Sequence, residues 1–258
     1  MKIIFCIPGN NFSGKFLSCW TNLIQEMTSK GIDWKLIRGY QPNIYRVRNQ
    51  LAEMALNEDF DRIMWIDSDI IFSPDDFFKL LNHNLLPDII SGLYMAQMEN
   101  EYEIDMSELR LKSRGDYYYA AISESATFLK VSDVKSLNIF TVRSNGMGFM
   151  LTSKKVFTDI GNMWFNPLDK GKIISEDISF QIKARELGYK SYVDPNIIVG
   201  HEKGVILKWT DGYYIKIKSE KNPWLYHLFS VSSYMTKEVN MKNTVIFDLD
   251  GTLANIEV

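Results

Sequence analysis

Arg62-Ile63-Met64-Trp65-Ile66-Asp67-Ser68-Asp69 is the stretch on which the fold turns. Ile63 to Ile66 form an unbroken apolar run, too short for a helix and lacking the polar alternation of a half-buried strand. That is the pattern of a parallel strand covered on both faces. Acids at its carboxyl end then lie where open α/β sheets receive ligands. In extended chain, residues i and i+2 project to one side, so this reading makes Asp67 and Asp69 converge. Two such carboxylates suit a hard divalent cation. The same acids could instead cap the following turn, and an isolated D-x-D is common.

Around this strand the chain alternates strands and helices. Lys2–Ile7 is a short apolar strand ended by Pro8-Gly9. Phe16–Ser29 carries Phe16, Trp20, Leu23, Ile24 and Met27 at helical spacing, with Gly31 just beyond. Ile32–Arg38 alternates like a second strand, and Val47, Leu51, Met54 and Ala55 mark one face of a helix from about Tyr45 to Asn57. Ser73-Pro74-Asp75-Asp76 opens another helix, with Ser as N-cap, Pro in the first turn and acids toward the positive end of the dipole. Asp88–Tyr94 reads as a strand, so a nucleotide-binding α/β half covers roughly the first hundred residues. From Glu99 to about Val142 the pattern weakens, which fits a short antiparallel insertion or a mobile lid. Regularity returns at Gly146–Thr152 (strand), Ile178–Leu187 (helix, closed by Gly188) and Tyr189–Val193 (strand).

With 258 residues, 46% of them hydrophobic and 24% charged, the chain can bury a sizeable core. A net charge of −3 carries no footprint for strong nucleic-acid binding, though it leaves room for a local basic patch. Cys6 and Cys19 lack zinc-ligand spacing and read as free thiols in a reducing compartment. No charged-then-apolar leader opens the sequence, and no apolar run reaches the ~18 residues of a membrane span. A soluble, cytoplasmic protein is the expectation.

Ile7-Pro8-Gly9-Asn10-Asn11-Phe12-Ser13-Gly14-Lys15-Phe16 has the glycine and lysine spacing of a P-loop. Phe16 stands where that motif needs a hydroxyl to hold Mg²⁺, and it falls in register with Trp20 and Leu23 on a core-facing helix. We therefore reject a P-loop. Arg46, Arg48 and Asn49 open the next helix, where backbone N–H groups and a guanidinium favour phosphate; solvated helix-start residues are the equally weighted alternative. Ser175-Glu176-Asp177 precedes a helix, so it caps that helix and also holds carboxylates where a general base would sit. Val199-Gly200-His201 follows a strand, and an imidazole completing a carboxylate site points to Mn²⁺ more than to Mg²⁺.

Taken in order, these motifs resemble the metal-dependent glycosyltransferases of GT-A fold, in particular family-2-like enzymes. The resemblance runs from Lys2 to about Gly204. It rests on I-P-G-N-N, R-V-R-N (Arg46–Asn49), W-I-D-S-D, D-I-I-S-G-L-Y (Asp88–Tyr94), N-G-M-G-F-M (Asn145–Met150), S-E-D-I-S-F (Ser175–Phe180) and V-G-H. It implies a Rossmann-like α/β fold, with a mixed, mostly parallel central sheet flanked by helices. It also implies a divalent metal held by Asp67, Asp69 and His201, and a nucleotide-diphosphate sugar contacted by Pro8, Gly9, Asn10, Arg48, Asn49, Asp67 and Ser68. Gly146, Met147 and Gly148 would wall the sugar and acceptor. Asp177, beside Glu176 in the E-D pair, would deprotonate an acceptor hydroxyl on a glycan, a protein or a modified nucleic acid. One base without a second carboxylate nucleophile implies direct displacement with inversion.

Val245-Ile246-Phe247-Asp248-Leu249-Asp250-Gly251-Thr252-Leu253 resembles the first motif of haloacid-dehalogenase-type phosphatases, but the sequence stops at Val258, short of a phosphatase domain. The expected organisation is a transferase domain over 1–235, a linker over 236–243 and the start of a truncated phosphatase-like domain over 244–258. That makes the chain the front of a longer two-enzyme polypeptide, with a remnant strand packed on the main domain as the alternative. Two other functional classes share parts of the pattern. A nucleotidyl- or phosphotransferase would use the Asp pair without needing Glu176-Asp177 or His201. A non-catalytic sugar-nucleotide or glycan-binding domain would need no base.

Overall fold

The computed structural model describes residues 1–95 and 138–202 in full, with Ala120 and the backbone of short strands in 102–130 and 206–255. It divides into two compact units, Met1–Lys203 and Gly204–Val258.

The first unit begins β1 (Lys2–Pro8), α1 (Gly14–Ser29), β2 (Asp33–Gly39), α2 (Ile44–Leu56), β3 (Arg62–Ile66), β4 (Ile70–Ile71), α3 (Pro74–Leu81) and β5 (Ile89–Leu93). Next come β6 (Tyr102–Asp105), β7 (Arg110–Ser113), β8 (Tyr117–Ala121) and β9 (Phe128–Lys130). The unit ends with β10 (Phe140–Val142), β11 (Ser144–Asn145), β12 (Phe149–Ser153), α4 (Lys154–Ile160), β13 (Leu168–Asp169), β14 (Ile173–Ile174), α5 (Glu176–Glu186), β15 (Ser191–Ile198) and β16 (Gly200–His201).

A seven-stranded sheet in the order β10-β15-β5-β12-β3-β1-β2 forms the centre. β1 is parallel to β2 and β3, and β5 is parallel to β15, while β12 lies antiparallel between β3 and β5 and β10 antiparallel against β15. Five of the seven strands therefore point one way, giving the mixed, mostly parallel sheet that the GT-A resemblance implies. Those four residues are fully buried.

Side chains alternate between two cores. Ile3, Phe5, Ile7, Met64 and Ile66 face α1 and α3 residues such as Phe16, Leu23, Phe77 and Leu80. Ile4, Cys6, Ile63 and Trp65 face Leu51, Phe157 and Phe180 of α2, α4 and α5. Phe16 is 2% exposed, and Ser13 caps α1 by accepting from the Phe16 N–H at 3.1 Å. Gly14 and Lys15 are thus the opening residues of a helix whose third residue is core. At α3 the Ser73 hydroxyl accepts from the Asp76 N–H while the Asp76 carboxylate accepts from the Ser73 N–H, a complete capping box.

Several boundaries differ from the sequence reading, each for a local reason. The strand expected at Gly146–Thr152 begins at Phe149, because the Gly148 N–H turns aside to the Tyr94 hydroxyl. β15 runs past Val193 through Pro195, with a register shift between Val193 and Ile198 that accommodates the proline. There the Asp194 carboxylate accepts from the Asn196 N–H at 2.9 Å. α4 was not expected. It is seven residues long and buries only Val156 and Phe157, too few positions to set a period.

Between Glu99 and Val142 the described strands pair antiparallel, β6 with β7 and β8 with β9, in keeping with the insertion. The second unit has antiparallel strands at Ile206–Thr210 (β17), Gly212–Ile217 (β18) and His227–Ser230 (β19), and a pair at Val245–Phe247 (β20) and Leu253–Asn255 (β21). The expected linker at 236–243 and the acids Asp248 and Asp250 lie outside the described residues.

Candidate functional site

The topology collects the candidate residues along one sheet edge. β1, β2, β3, β5 and β15 end there, and antiparallel β12 begins there. Gly9, Asp67, Tyr94, Gly148 and, one short strand later, His201 therefore share a rim, as expected for an open α/β sheet.

The loop after β1 presses on the acid turn. Gly9 has φ +147°, and a Cβ there would lie 2.5 Å from the Ser68 hydroxyl oxygen. Its N–H donates to the Gly39 carbonyl at 2.9 Å. Glycine is thus required twice, for conformation and for space. Pro8 is buried and Asn10 exposed. Ser68 contributes to the packing of this loop.

Asp67-Ser68-Asp69 is not extended. β3 stops at Ile66, and the Ile70 N–H donates to the Asp67 carbonyl at 3.1 Å, closing a turn. The two carboxylates accordingly take different partners, correcting the expectation that both project to one side.

Asp67 belongs to a buried arginine. Arg48 Nη2 donates to Asp67 Oδ1 at 2.8 Å and to Oδ2 at 3.1 Å, while its Nε donates to Glu176 Oε1 at 3.4 Å. Arg48 is 2% exposed, and its guanidinium lies over the Trp65 ring at 5.8 Å. Nη1 is buried with no hydrogen-bond partner among the described residues. Burial alone would lower the Arg48 pKa, but Asp67, then Glu176, Asp177 and Tyr94, raise it, and the net direction is upward. Arg48 is therefore neither a solvated helix-start residue nor an open phosphate ligand here. Asn49 is also engaged: its Oδ1 accepts from the Phe165 N–H at 3.1 Å and its Nδ2 donates to Asn166 at 2.8 Å. Arg46 stays on the surface, its guanidinium over the Tyr45 ring at 5.8 Å.

Asp69 belongs to His201. β16 pairs with β4 so that His201 stands opposite Ile70, and the Glu202 N–H donates to the Asp69 carbonyl at 2.7 Å. This register brings His201 Nε2 to 3.2 Å from Asp69 Oδ2, with Nδ1 2.8 Å from the Met95 carbonyl. A carbonyl only accepts, so Nδ1 carries a proton. Nε2 and the Asp69 carboxylate then face each other, and both are groups that ligate divalent cations. The 3.2 Å separation also matches neighbouring ligands of one ion, about 3 Å apart for bonds of about 2.1 Å at right angles. Asp69 and His201 fit a divalent cation. The expected third ligand, Asp67, is held by Arg48, and among the described residues no group of three His, Cys, Asp or Glu side chains converges as a metal site.

Glu176 and Asp177 point to different partners. Ser175, expected as an ordinary N-cap, makes no side-chain capping bond. Its hydroxyl donates to Asp177 Oδ1 at 2.5 Å, and the Ile178 N–H donates to the same oxygen at 2.8 Å. Glu176 turns to Arg48; burial first, then the charge of Asp177, push its carboxyl above the usual range against the pull of Arg48.

In the expected wall, Met147 is 1% exposed and packs in the core with Trp65 and Phe180. Its side chain lines the core, so it gives no side chain to the expected wall around sugar and acceptor. Gly146 is buried too. A Cβ on Gly148 would lie 3.0 Å from the Tyr94 ring. Sequence reasoning missed Gln181, and it named Tyr94 and Asn145 only as members of motifs, with no partner for either. The Tyr94 hydroxyl accepts from the Gly148 N–H at 3.0 Å and its ring stands edge-on to His201 at 5.2 Å. Burial, with Asp67 and Asp177 adding, raises its pKa. A polar residue amid apolar helix positions is the one sequence signal that marks Gln181.

No protein-family model matches the sequence, and no curated protein matches it. Solved structures do match in shape. GalNAc-T7, determined with UDP, GalNAc and Mn²⁺, is 12% identical with a TM-score of 0.51, over 78% of this chain and 44% of that one. A mannosyltransferase from Pyrobaculum calidifontis, with GDP-Man and Mn²⁺, is 10% identical with a TM-score of 0.46, over 82% and 58%. A Drosophila β1,4-galactosyltransferase 7, with manganese, UDP-Gal and xylobiose, is 12% identical with a TM-score of 0.45, over 79% and 71%. The likeness to GalNAc-T7, together with the mixed sheet and its flanking helices, shows that this chain has the GT-A fold.

Proposed function

We propose that the chain is a metal-dependent glycosyltransferase that moves a sugar from a nucleotide-diphosphate donor to an acceptor hydroxyl with inversion. The observation that carries this reading is the Asp69–His201 pair on the rim of a GT-A sheet. Asp69 and His201 would hold a divalent ion, Mn²⁺ in preference to Mg²⁺ because of the imidazole. When bound, such an ion neutralises charge on the departing diphosphate.

The other roles fall to the chain's own groups. The loop at Pro8-Gly9-Asn10, seated on Ser68 because Gly9 carries no side chain, would offer the donor its outer backbone and the exposed Asn10. Arg48 fixes Asp67 in one orientation from beneath the rim. Asp177 has Oδ1 occupied by the Ser175 hydroxyl and the Ile178 N–H. Oδ2 is then the oxygen that takes the proton of the acceptor hydroxyl as that hydroxyl attacks the anomeric carbon. No second carboxylate acts as a nucleophile, so the displacement is direct. The transferase domain over 1–235, the linker and the phosphatase-like continuation belong to this same proposal, as does a cytoplasmic setting. No helix among the described residues is long and apolar enough to cross a membrane.

The test is turnover of a nucleotide-sugar panel with and without Mn²⁺, UDP-sugars first because GalNAc-T7 was solved with UDP and Mn²⁺. We expect Mn²⁺-dependent transfer, or slow donor hydrolysis, that drops by ~10²-fold or more in Asp69→Asn with the fold intact. Metal-independent turnover, or an unchanged Mn²⁺ titration in Asp69→Asn, would overturn the metal assignment.

A further inference from the structure

Gln181 lies inside α5 and is 1% exposed. A buried amide is costly unless its donors and acceptor are matched, and here they are. Oε1 accepts from the Asn145 N–H at 3.1 Å, and Nε2 donates to the Asn145 carbonyl at 2.6 Å and to the Asp177 carbonyl at 3.1 Å. The side chain thus pairs with one residue's backbone in both directions, as a neighbouring strand would. It also reaches back one helical turn to the residue proposed as the base.

Asn145 opens a short strut. Its Nδ2 donates to the Ser91 hydroxyl on β5. Three residues on, the Gly148 N–H donates to the Tyr94 hydroxyl at 3.0 Å, and the Gly148 carbonyl accepts from the Asp67 N–H at 2.9 Å. Segment 145–148 is therefore fastened at one end to Gln181, and through it to the Asp177 carbonyl in the first turn of α5, and at the other to the acid turn after β3.

We propose that Gln181 is a positioning residue: by clamping Asn145 it sets the place of Asp177 relative to the Asp67–Asp69 turn. The inference rests on the transferase reading. Among side chains of this length, only glutamine offers one acceptor and two donors at the required ends. Glutamate lacks the donors and methionine lacks everything but the shape. A misplacement of about 1 Å between base and donor costs on the order of 10²-fold in rate. Donor binding runs through the Gly9 loop, Asp69 and His201, none of which touches Gln181 in the bonds above.

The experiment compares the full chain with Gln181→Met, which keeps length and apolar packing, and Gln181→Glu, which keeps only the acceptor. kcat and donor KM are read with the Mn²⁺ and nucleotide sugar that the wild type uses, beside hydrogen exchange of the Asn145 amide. The expected result is a kcat lower by ~10- to 100-fold in both variants, donor KM within about threefold, and faster Asn145 exchange. Should Gln181→Met not fold, Gln181→Glu carries the same test. A folded variant with kcat within about twofold of wild type overturns the proposal, as does a parallel loss in kcat and donor affinity. A wild type that turns over no nucleotide sugar defeats the transferase reading itself, a result distinct from an active wild type with indifferent variants.

Discussion

Arg48→Met tests the centre of the site, because one buried cation there serves two carboxylates from distant parts of the chain. Its side chain is 3% exposed, that of Asp67 26% and that of Glu176 14%. At an effective dielectric of about 20, a unit-charge pair about 4 Å apart is worth about 4 kcal/mol. Most of that offsets the desolvation of the ions, so the intact cluster adds little net stability. Removing only the cation is different, since it strands two carboxylates beside each other; breaking a buried pair costs ~3–5 kcal/mol. Water reaches part of Asp67, so we place Arg48→Met at about 3 kcal/mol at pH 8.

The pH dependence is the sharper signature. Burial and Asp177 already hold the Glu176 carboxyl above its usual range, and Arg48 is the charge that pulls it down, so without the guanidinium the fold favours protonated Glu176 more strongly. Stability from that group is then present below its unfolded value and is lost as pH rises through the folded one. Each pH unit in that window is worth ~1.4 kcal/mol per proton, so the defect should be smaller at pH 5 than at pH 8. Urea denaturation of wild type and variant at pH 5 and pH 8 measures both quantities. A defect below ~1 kcal/mol at pH 8, or an equal one at both pH values, would refute the cluster as an electrostatic unit.

Three further outcomes are expected. Gly9→Ala adds a Cβ 2.5 Å from the Ser68 hydroxyl oxygen at φ +147°, so it should cost ~1–3 kcal/mol in thermal melting and weaken donor binding; an unchanged melt would mean the loop has room. The Glu176 carboxyl, raised by burial and by Asp177, favours the protonated fold, so wild-type stability should fall as pH rises from about 4.3 through the raised value. Urea midpoints between pH 4 and pH 7 should show that slope flattened in Glu176→Gln, and an identical slope would remove Glu176 as its source. Asp177→Asn should lower turnover by ~10²-fold or more with donor affinity kept, and a loss under about threefold would return the residue to helix capping.

What was legible in the sequence was local, and what was hidden was paired across distance. The buried run at Ile63–Ile66, the N-cap at Ser73 and the core register of Phe16 each follow from neighbours a few residues away, and all stand in the structure. Arg48 illustrates the opposite case. Arginine is mostly a surface residue; Arg48 shares the helical face of Leu51, Ala52 and Ala55, but nothing within α2 names the partners that let a cation be buried there, because Asp67 and Glu176 lie 19 and 128 positions away. The same holds for Gln181 and Asn145, 36 positions apart, whose bonds exist only once α5 lies beside the strut. Asp67 and Asp69 fall between these cases. Their place at the strand's end was readable, but the turn that separates them depends on the Gly148 carbonyl capturing the Asp67 N–H and on Arg48 capturing the carboxylate. A D-x-D motif in extended chain and one in a turn read the same. The arginine decides which acid is left facing His201, so a buried basic residue on the helix after β2 is the feature to seek when such a motif is met without a structure.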